Sequence, residues 1–389
     1  MNLKKHILYI LSCTYLLVIS CSNSDSGINI IDDSEIVNTD PNCTQTVNIP
    51  DVNFKAKLLS STGGNSVAAN LEGYQFKIDA NDDGIIQVCE AEKVSKLNVD
   101  NSDIASMEGL LSFRNLRSLS CRDNEIENLN LTILKKLESI YCDYNNLTYL
   151  NVQGLNQLKL LWCYENQLTT LNLSSLPSLE SVYFQFNQIS NFSIDNSNKI
   201  KDLRGYYNLI PTLSVSHLSN LQYLYFSDNS LTSLDVSNLS NLLILQCYTN
   251  DLTNLNASNC TKLTEISCDQ NSLTTLTLNN CIKLNFLRAS NNNLPTLNLN
   301  GLVELTNLDC SNNALTSLDV RSSPLLMYLS CSMNNLQNLV IKNGSNFIHY
   351  YIGQNPNLTT ICCDQSELAD VQNQVQIFGY NCVVNTNCF

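Results

Sequence analysis

A chain of 389 residues with 14% charged side chains is long enough for two or three globular domains. Its formal charge of −14, about −16 once Lys4 and Lys5 leave with an export leader, excludes nucleic acid and an anionic membrane surface as natural partners and favours neutral or cationic ones. Seventeen cysteines in an exported chain would ordinarily imply a disulfide framework, but their spacing gives most of them another role.

Residues 1–21 read as a signal peptide. Lys4 and Lys5 precede an apolar run from Ile7 to Ile19 that is too short to span a bilayer comfortably, and the small residue Ser20 stands before Cys21. Val18, Ile19, Ser20 and Cys21 resemble the bacterial lipobox, which implies that Cys21 becomes the lipidated first residue of the mature protein. Residues 22–42, rich in Ser, Asn and Asp, are expected to be a flexible tether.

Residues 43–96 form an expected front cap. A short helix is predicted from Ile49 to Leu59 after Pro50 and Asp51, and Cys43 and Cys89 flank the module as candidates for a staple. Within it, Asp79, Asn81, Asp83, Gly84, Ile86 and Glu90 follow the EF-hand spacing D-x-N-x-D-G-x-I-x-x-x-E. A structural Ca2+ would be held by the side chains of Asp79, Asn81 and Asp83, the carbonyl of Ile85, Gln87, and a bidentate Glu90, with Gly84 at the sharp turn. Gly73 to Ile78 is not a strong helix, so the expectation is a lone loop that orders the cap; the alternative is an acidic turn that binds no metal.

From residue 97 to 361 one pattern dominates. Leu116, Leu119, Cys121, Asn124 and Ile126 spell LxxLxCxxNxL, and Leu137, Ile140, Cys142, Asn145 and Leu147 repeat it. The asparagine returns every 21 residues, at 124, 145, 166, 187, 208, 229, 250, 271, 292, 313, 334 and 355. Alternation of Leu119, Ser120 and Cys121 predicts a strand with one face inward, and the asparagine amide can satisfy backbone groups of neighbouring coils. Leu129 with Leu131, and Leu150 with Val152, again at period two, predict a second short strand on the opposite side. These residues resemble the leucine-rich-repeat family, internalin-like and related bacterial surface lipoproteins in particular. The resemblance implies a mainly β, right-handed solenoid with short strands on its concave and convex sides and a capping module at each end.

Cys121, Cys142, Cys163, Cys247, Cys268, Cys310 and Cys331 stand three residues before the asparagine, in a slot that Phe184, Gly205, Phe226, Ala289 and Ile352 fill elsewhere. Such variety reads as an apolar position of adjustable size. A straight row of thiols about 4.8 Å apart cannot surround a metal ion tetrahedrally. Cys260 and Cys281, ten residues after their asparagines where other coils carry leucine, are read as core too. Residues 362–389 form the back cap, with an amphipathic helix predicted from Glu367 to Phe378 and disulfides among Cys362, Cys363, Cys382 and Cys388 in any of three pairings.

The outward position between the inward leucine and the cysteine slot holds Tyr141, Trp162, Tyr183, Arg204 and Tyr225 in successive coils. Neighbouring outward positions add Tyr144, Tyr164, Phe186, Tyr206 and Tyr207, so the aromatics gather in one half of the concave face. The expectation is a binding surface for a protein or a glycan on a monomer that meets the membrane only through its lipid; the alternative is that tyrosines simply suit strands and stack on one another. An enzyme is not expected. His6, His217 and His349 fall far apart, and carboxylates such as Asp143 and Glu165 on an open face lack a dry pocket. A spacer without a specific ligand is the remaining alternative. Since the chain ends at Phe389 soon after the capping cysteines, the lipid on Cys21 is expected to hold it at the outer membrane, facing outward; the alternative is that it faces the periplasm.

Overall fold

The computed structural model describes residues 43–345 and 349–388. The expected signal peptide, lipidated Cys21 and tether lie outside the described residues. Among the described residues no helix is long and apolar enough to cross a membrane.

The front cap opens with helix α1 (Val52–Leu59), whose N-cap Asp51 accepts hydrogen bonds from the N–H groups of Asn53 and Phe54 at 3.0 and 2.8 Å. Its other oxygen accepts from Ala105 and Ser106, both at 2.9 Å, so one carboxylate starts the helix and ties it to the first irregular coil. Burial works to raise the Asp51 pKa, but four backbone donors outweigh it and hold the carboxyl below its usual value. Phe54 and Leu58, four residues apart on one helix face, are fully buried. Cys43 and Cys89 are joined by a disulfide with Cα atoms 5.7 Å apart.

Beyond the cap, each coil contributes a three-residue strand to one long sheet of fourteen strands, running from Ala68–Ala69 to His349–Tyr351. Only the first pair is antiparallel, with Ala68 opposite Leu97; the rest are parallel. Registers such as Ser120 with Tyr141, Tyr141 with Trp162 and Trp162 with Tyr183 show a step of one repeat per strand. The middle residues of the strands, among them Leu119, Ile140, Leu161, Val182 and Leu203, point into a core in which these five are fully buried; Tyr350, in the last strand, is half-buried.

The asparagines hold adjacent coils together. The Asn166 side chain donates to the carbonyls of Cys142 (3.0 Å), Cys163 (3.2 Å) and Tyr164 (3.1 Å), and its oxygen accepts from the Leu147 N–H at 2.9 Å. The same set recurs at Asn145, Asn208, Asn250, Asn292 and Asn334. All seven ladder thiols are buried, which pushes their pKa values far up and leaves them as neutral apolar packing groups. Cys260 and Cys281 are core as well, each thiol donating to a main-chain carbonyl (Val236 and Ala257) at 3.1 Å.

The expected convex strand is present, but broken into sheets of two, two, three and four strands. Two of the three breaks fall in the coils that begin with Pro211 and Pro295. In neighbouring coils this position donates its N–H to the coil before, as Ser190 does to Thr169 and Thr274 to Thr253. Proline has no such donor, and the ladder stops there.

The back cap carries helix α2 (Leu368–Phe378), closed by Gly379 at φ 67°. Tyr380 donates from its hydroxyl to the Ile352 carbonyl (2.8 Å) and accepts the Asn355 N–H (3.0 Å), completing the last asparagine rung. The strand Val383–Asn385 extends the convex side beside Thr360–Cys362, and this brings Cys388 to Cys362 as a disulfide; Cys363 and Cys382 remain thiols.

Candidate binding face

The strand register sets Tyr141, Trp162, Tyr183, Arg204 and Tyr225 in one straight row on the long sheet, as the repeat requires. Their side chains pack on one another. Trp162 lies parallel to Tyr183, with centroids 5.2 Å apart and planes at 8°, while Tyr141 meets it at 89° and 5.0 Å. The Arg204 guanidinium is sandwiched, 4.3 Å from the Tyr183 ring centre and 4.9 Å from that of Tyr225. Asp202 holds it there with two hydrogen bonds of 3.0 and 2.8 Å and accepts the Tyr183 hydroxyl at 2.7 Å. Most of this row is therefore half-buried by its own members, so stacking between neighbours accounts for part of the aromatic enrichment.

A second group was less visible in the sequence. Arg122 donates to the fully buried Asp143 at 2.8 Å and to the Tyr164 hydroxyl at 3.1 Å, and its guanidinium stands 5.6 Å from the Trp162 ring. Burial, with Asp143 adding to it, raises the Tyr164 pKa to about 12; burial raises Tyr225 to about 12 as well and also lifts Tyr183, Tyr206 and Tyr207. These phenols are neutral hydrogen-bonding tips at any physiological pH. The outward position after the cysteine slot, where Arg122, Asp143 and Tyr164 succeed one another, was the signal that could have found this cluster.

On this half of the face the more exposed aromatics lie elsewhere. Tyr144, Phe186 and Tyr207 are 49%, 40% and 49% exposed, and all occupy the residue immediately before the ladder asparagine. In every coil that residue has a left-handed backbone, with φ of 54°, 56° and 53° at these three. Most other coils place Asp, Asn or Gln there, as at Asp123, Asp228, Gln270, Asn291 and Asn312. Short polar side chains tolerate this conformation and bulky rings do so poorly. Phe186 and Tyr207 stack at 4.8 Å, and Tyr206 packs edge-on against both.

The calcium-type loop folds around its own donors. Asp79 accepts the N–H groups of Asp83 (3.2 Å) and Gly84 (3.0 Å), and Asp83 accepts those of Ile85 (2.8 Å) and the Gln87 amide (2.8 Å). Asn81 also donates to Asp83, at 2.9 Å. Both Glu90 oxygens take main-chain N–H groups, of Ala80 at 2.9 Å and of Gln87 at 3.0 Å, the latter as the capping box of the short turn Val88–Ala91. Burial raises the Glu90 pKa, and the charges of Asp79 and Asp83 raise it further. The donor types follow the order a hard cation would need, but among the described residues no three acidic, His or Cys side chains converge as ligands, and a cation would have to draw Glu90 out of its capping box. Gly73 to Ile78 contains no helix, as the sequence indicated.

His217 sits on the convex side near the Ile194 carbonyl and His349 in the last strand of the long sheet, so these two histidines share no site. No protein-family model and no curated protein sequence matches the chain. Solved structures do. A leucine-rich effector, YopM of Yersinia pestis, is 24% identical over 69% of this chain and 77% of its own, with a TM-score of 0.52. A leucine-rich-repeat protein of Leptospira interrogans is 23% identical over 76% of this chain and 84% of its own, with a TM-score of 0.51. The chain has the leucine-rich-repeat fold. An internalin of Listeria monocytogenes, 20% identical over 80% of this chain and 95% of its own with a TM-score of 0.50, shares that leucine-rich-repeat architecture.

Proposed function

We propose that this leucine-rich-repeat chain is a non-catalytic recognition protein that holds a protein partner against its aromatic concave face, and that a lipid on Cys21 keeps it at the outer surface of the cell envelope. The observation that carries the reading is the column Tyr144, Phe186 and Tyr207: large rings stand exposed at left-handed positions where a short polar residue is easier. Stability alone does not place them there. A protein is favoured over a glycan on this part of the face because Trp162 with Tyr183 and Phe186 with Tyr207 each stack one face on the other, which takes one flat platform of every ring away from a sugar. Exposed Tyr and Phe rings beside the fixed Arg204 are the chemistry of protein hot spots.

The test compares proteins retained by the immobilised wild type with those retained by Trp162→Ala and Tyr207→Asn. A partner held by the wild type and lost by both variants supports the reading; retention of the same proteins by all three ends it, as does retention of none. Protease shaving of intact cells, with Cys21→Ala as the comparison, checks the anchor. We further propose that Ca2+ at Asp79, Asn81, Asp83, Ile85, Gln87 and Glu90 would order the front cap, away from the aromatic face.

A further inference from the structure

The front cap does more than cover the first coil. Its hairpin, with Ala68 opposite Leu97 and Ala69 opposite Gln75, stands beside the opening strands of the long sheet and closes a cleft of about 470 Å³ between Gln75, Lys96, Asn98, Asp100 and Tyr141. This lies within the range of about 300–1,000 Å³ typical of small-ligand pockets. The cleft lies at one end of the aromatic row, and Tyr141 belongs to both.

Tyr141 differs from the rings that follow it. Trp162 has one face on Tyr183, and Tyr141 stands perpendicular on the other side, so Tyr141 presents its edge to Trp162. Among the described residues, no ring or guanidinium stacks on the faces of Tyr141 itself. A bare aromatic face carries partial negative charge and attracts the weakly positive C–H groups of a sugar ring. The polar lining is mixed and balanced. Lys96 is exposed and only donates; the Asp100 carboxylate only accepts, and is fixed by the Ser120 hydroxyl at 2.6 Å and the Arg122 N–H at 2.8 Å; the amide of Gln75 does both. Two cations, Lys96 and Arg122, and one anion, Asp100, line the cleft, but the Arg122 guanidinium is paired with the buried Asp143, so no net charge is left to select a charged ligand, whereas sugar hydroxyls both donate and accept.

We propose that this cleft binds a neutral pyranose, the exposed sugar of a glycan, with its C–H face on Tyr141 and its hydroxyls toward Lys96, Asp100 and Gln75. The site is separate from the protein-binding column and stands or falls without it. Saturation-transfer NMR with the methyl glycosides of glucose, galactose, mannose and N-acetylglucosamine tests it on the full mature chain. Transfer to at least one glycoside is expected, lost at least tenfold in Tyr141→Ala, kept in Tyr141→Phe, weakened in the Gln75→Ala, Lys96→Ala double variant, and unchanged in Tyr207→Asn, whose ring packs on Phe186 and Tyr206 rather than on Tyr141. Because Tyr207→Asn should still lose the protein partner, failure of one reading is distinguishable from failure of the other. No transfer to any of the four glycosides, or transfer that persists in Tyr141→Ala, overturns the proposal. A soluble mannan and a high-mannose glycoprotein, compared by the same variants, separate a free polysaccharide from a protein-borne glycan as the source.

Discussion

Gly205 has no room for a side chain because Phe184, one coil earlier in the same inward slot, fills it: a Cβ on Gly205 would lie 2.3 Å from the Phe184 ring and 2.9 Å from that of Phe226 on the other side. The three residues form one packing unit, with the phenyl rings 5.9 Å apart across the glycine. Most other coils place cysteine in this slot, yet Gly205→Cys should destabilise the protein by about 1–3 kcal/mol through overpacking. Urea unfolding decides it. An unchanged midpoint would mean that the rings relax without cost.

The asparagine rungs make a sharper stability prediction. Asn250 is buried, donates to the carbonyls of Phe226, Cys247 and Tyr248 at 2.9, 3.2 and 3.3 Å, and accepts the Leu231 N–H at 2.9 Å. Asn250→Ala strands a buried N–H and weakens the satisfaction of three carbonyls, for an expected loss of about 2–4 kcal/mol. Asn250→Asp keeps the acceptor and loses the donors, so it should also destabilise. Chemical denaturation of the two variants beside the exposed control Asn146→Ala, expected within about 0.5 kcal/mol of wild type, measures the difference.

The repeat, its asparagine rungs and the inward cysteines were legible because each coil imposes the same local requirement on the same position, and repetition averages out exceptions. What was not legible depends on how neighbours meet. Gly205 reads as one more small residue until Phe184 and Phe226 are known to sit on either side of it. Pro211 and Pro295 break the convex ladder only because their missing N–H groups would have faced the preceding coil. The pairing of Cys362 with Cys388 depends on where the strand Val383–Asn385 lies, and no spacing encodes that. The aromatic row was read correctly as a row, but sequence could not show that Trp162 and Tyr183 cover one another while Tyr144, Phe186 and Tyr207 stay exposed.

That distinction predicts a trade between stability and binding. Tyr207→Asn puts at φ 53° a residue that tolerates the left-handed region, and removes an exposed ring. The variant should be no less stable than wild type, and more stable by as much as about 1 kcal/mol, while losing the protein partner. Thermal melts with binding on the same samples test both halves. A marked loss of stability would show that Phe186 and Tyr207 serve packing, and would remove the argument for the site.

The nine buried thiols of the repeat coils predict alkaline sensitivity. Burial pushes Cys121, Cys142, Cys163, Cys247, Cys260, Cys268, Cys281, Cys310 and Cys331 above the ordinary thiol value of 9.0, with Cys281 at about 11. A raised folded pKa means that the unfolded chain gives up its proton first as pH rises. The stabilisation is therefore complete below about 9 and is lost as pH climbs through the folded values, by up to about 1.4 kcal/mol per thiol per pH unit. The urea midpoint should fall steeply from pH 9 to 11. Iodoacetamide at pH 8.5 should label the half-exposed Cys382 and spare the nine. A flat midpoint over that range would contradict the burial.

The front cap offers a test that leaves the aromatic face alone. Asp79, Asn81 and Asp83 point their oxygens into one small loop, where Glu90 is held back by hydrogen bonds to Ala80 and Gln87. Ca2+ can bind only by recruiting carboxylates now engaged with the loop's own N–H groups, so its net effect is the difference between two good arrangements. If it binds, a 100-fold excess over the dissociation constant adds about 2.7 kcal/mol to the folded state and raises Tm. Asp83→Ala removes the carboxylate whose Oδ1 accepts from Ile85 and whose Oδ2 accepts from Gln87 and Asn81, and should abolish the rise. The disulfide between Cys43 and Cys89 closes a long loop over the same module and contributes about 3–4 kcal/mol by constraining the unfolded chain. The two effects separate by design: Cys43→Ser lowers Tm whether or not calcium is present, whereas the calcium increment should persist in that variant so long as the cap still folds. An increment equal in wild type and Asp83→Ala would place the cation elsewhere and leave the loop as an acidic turn.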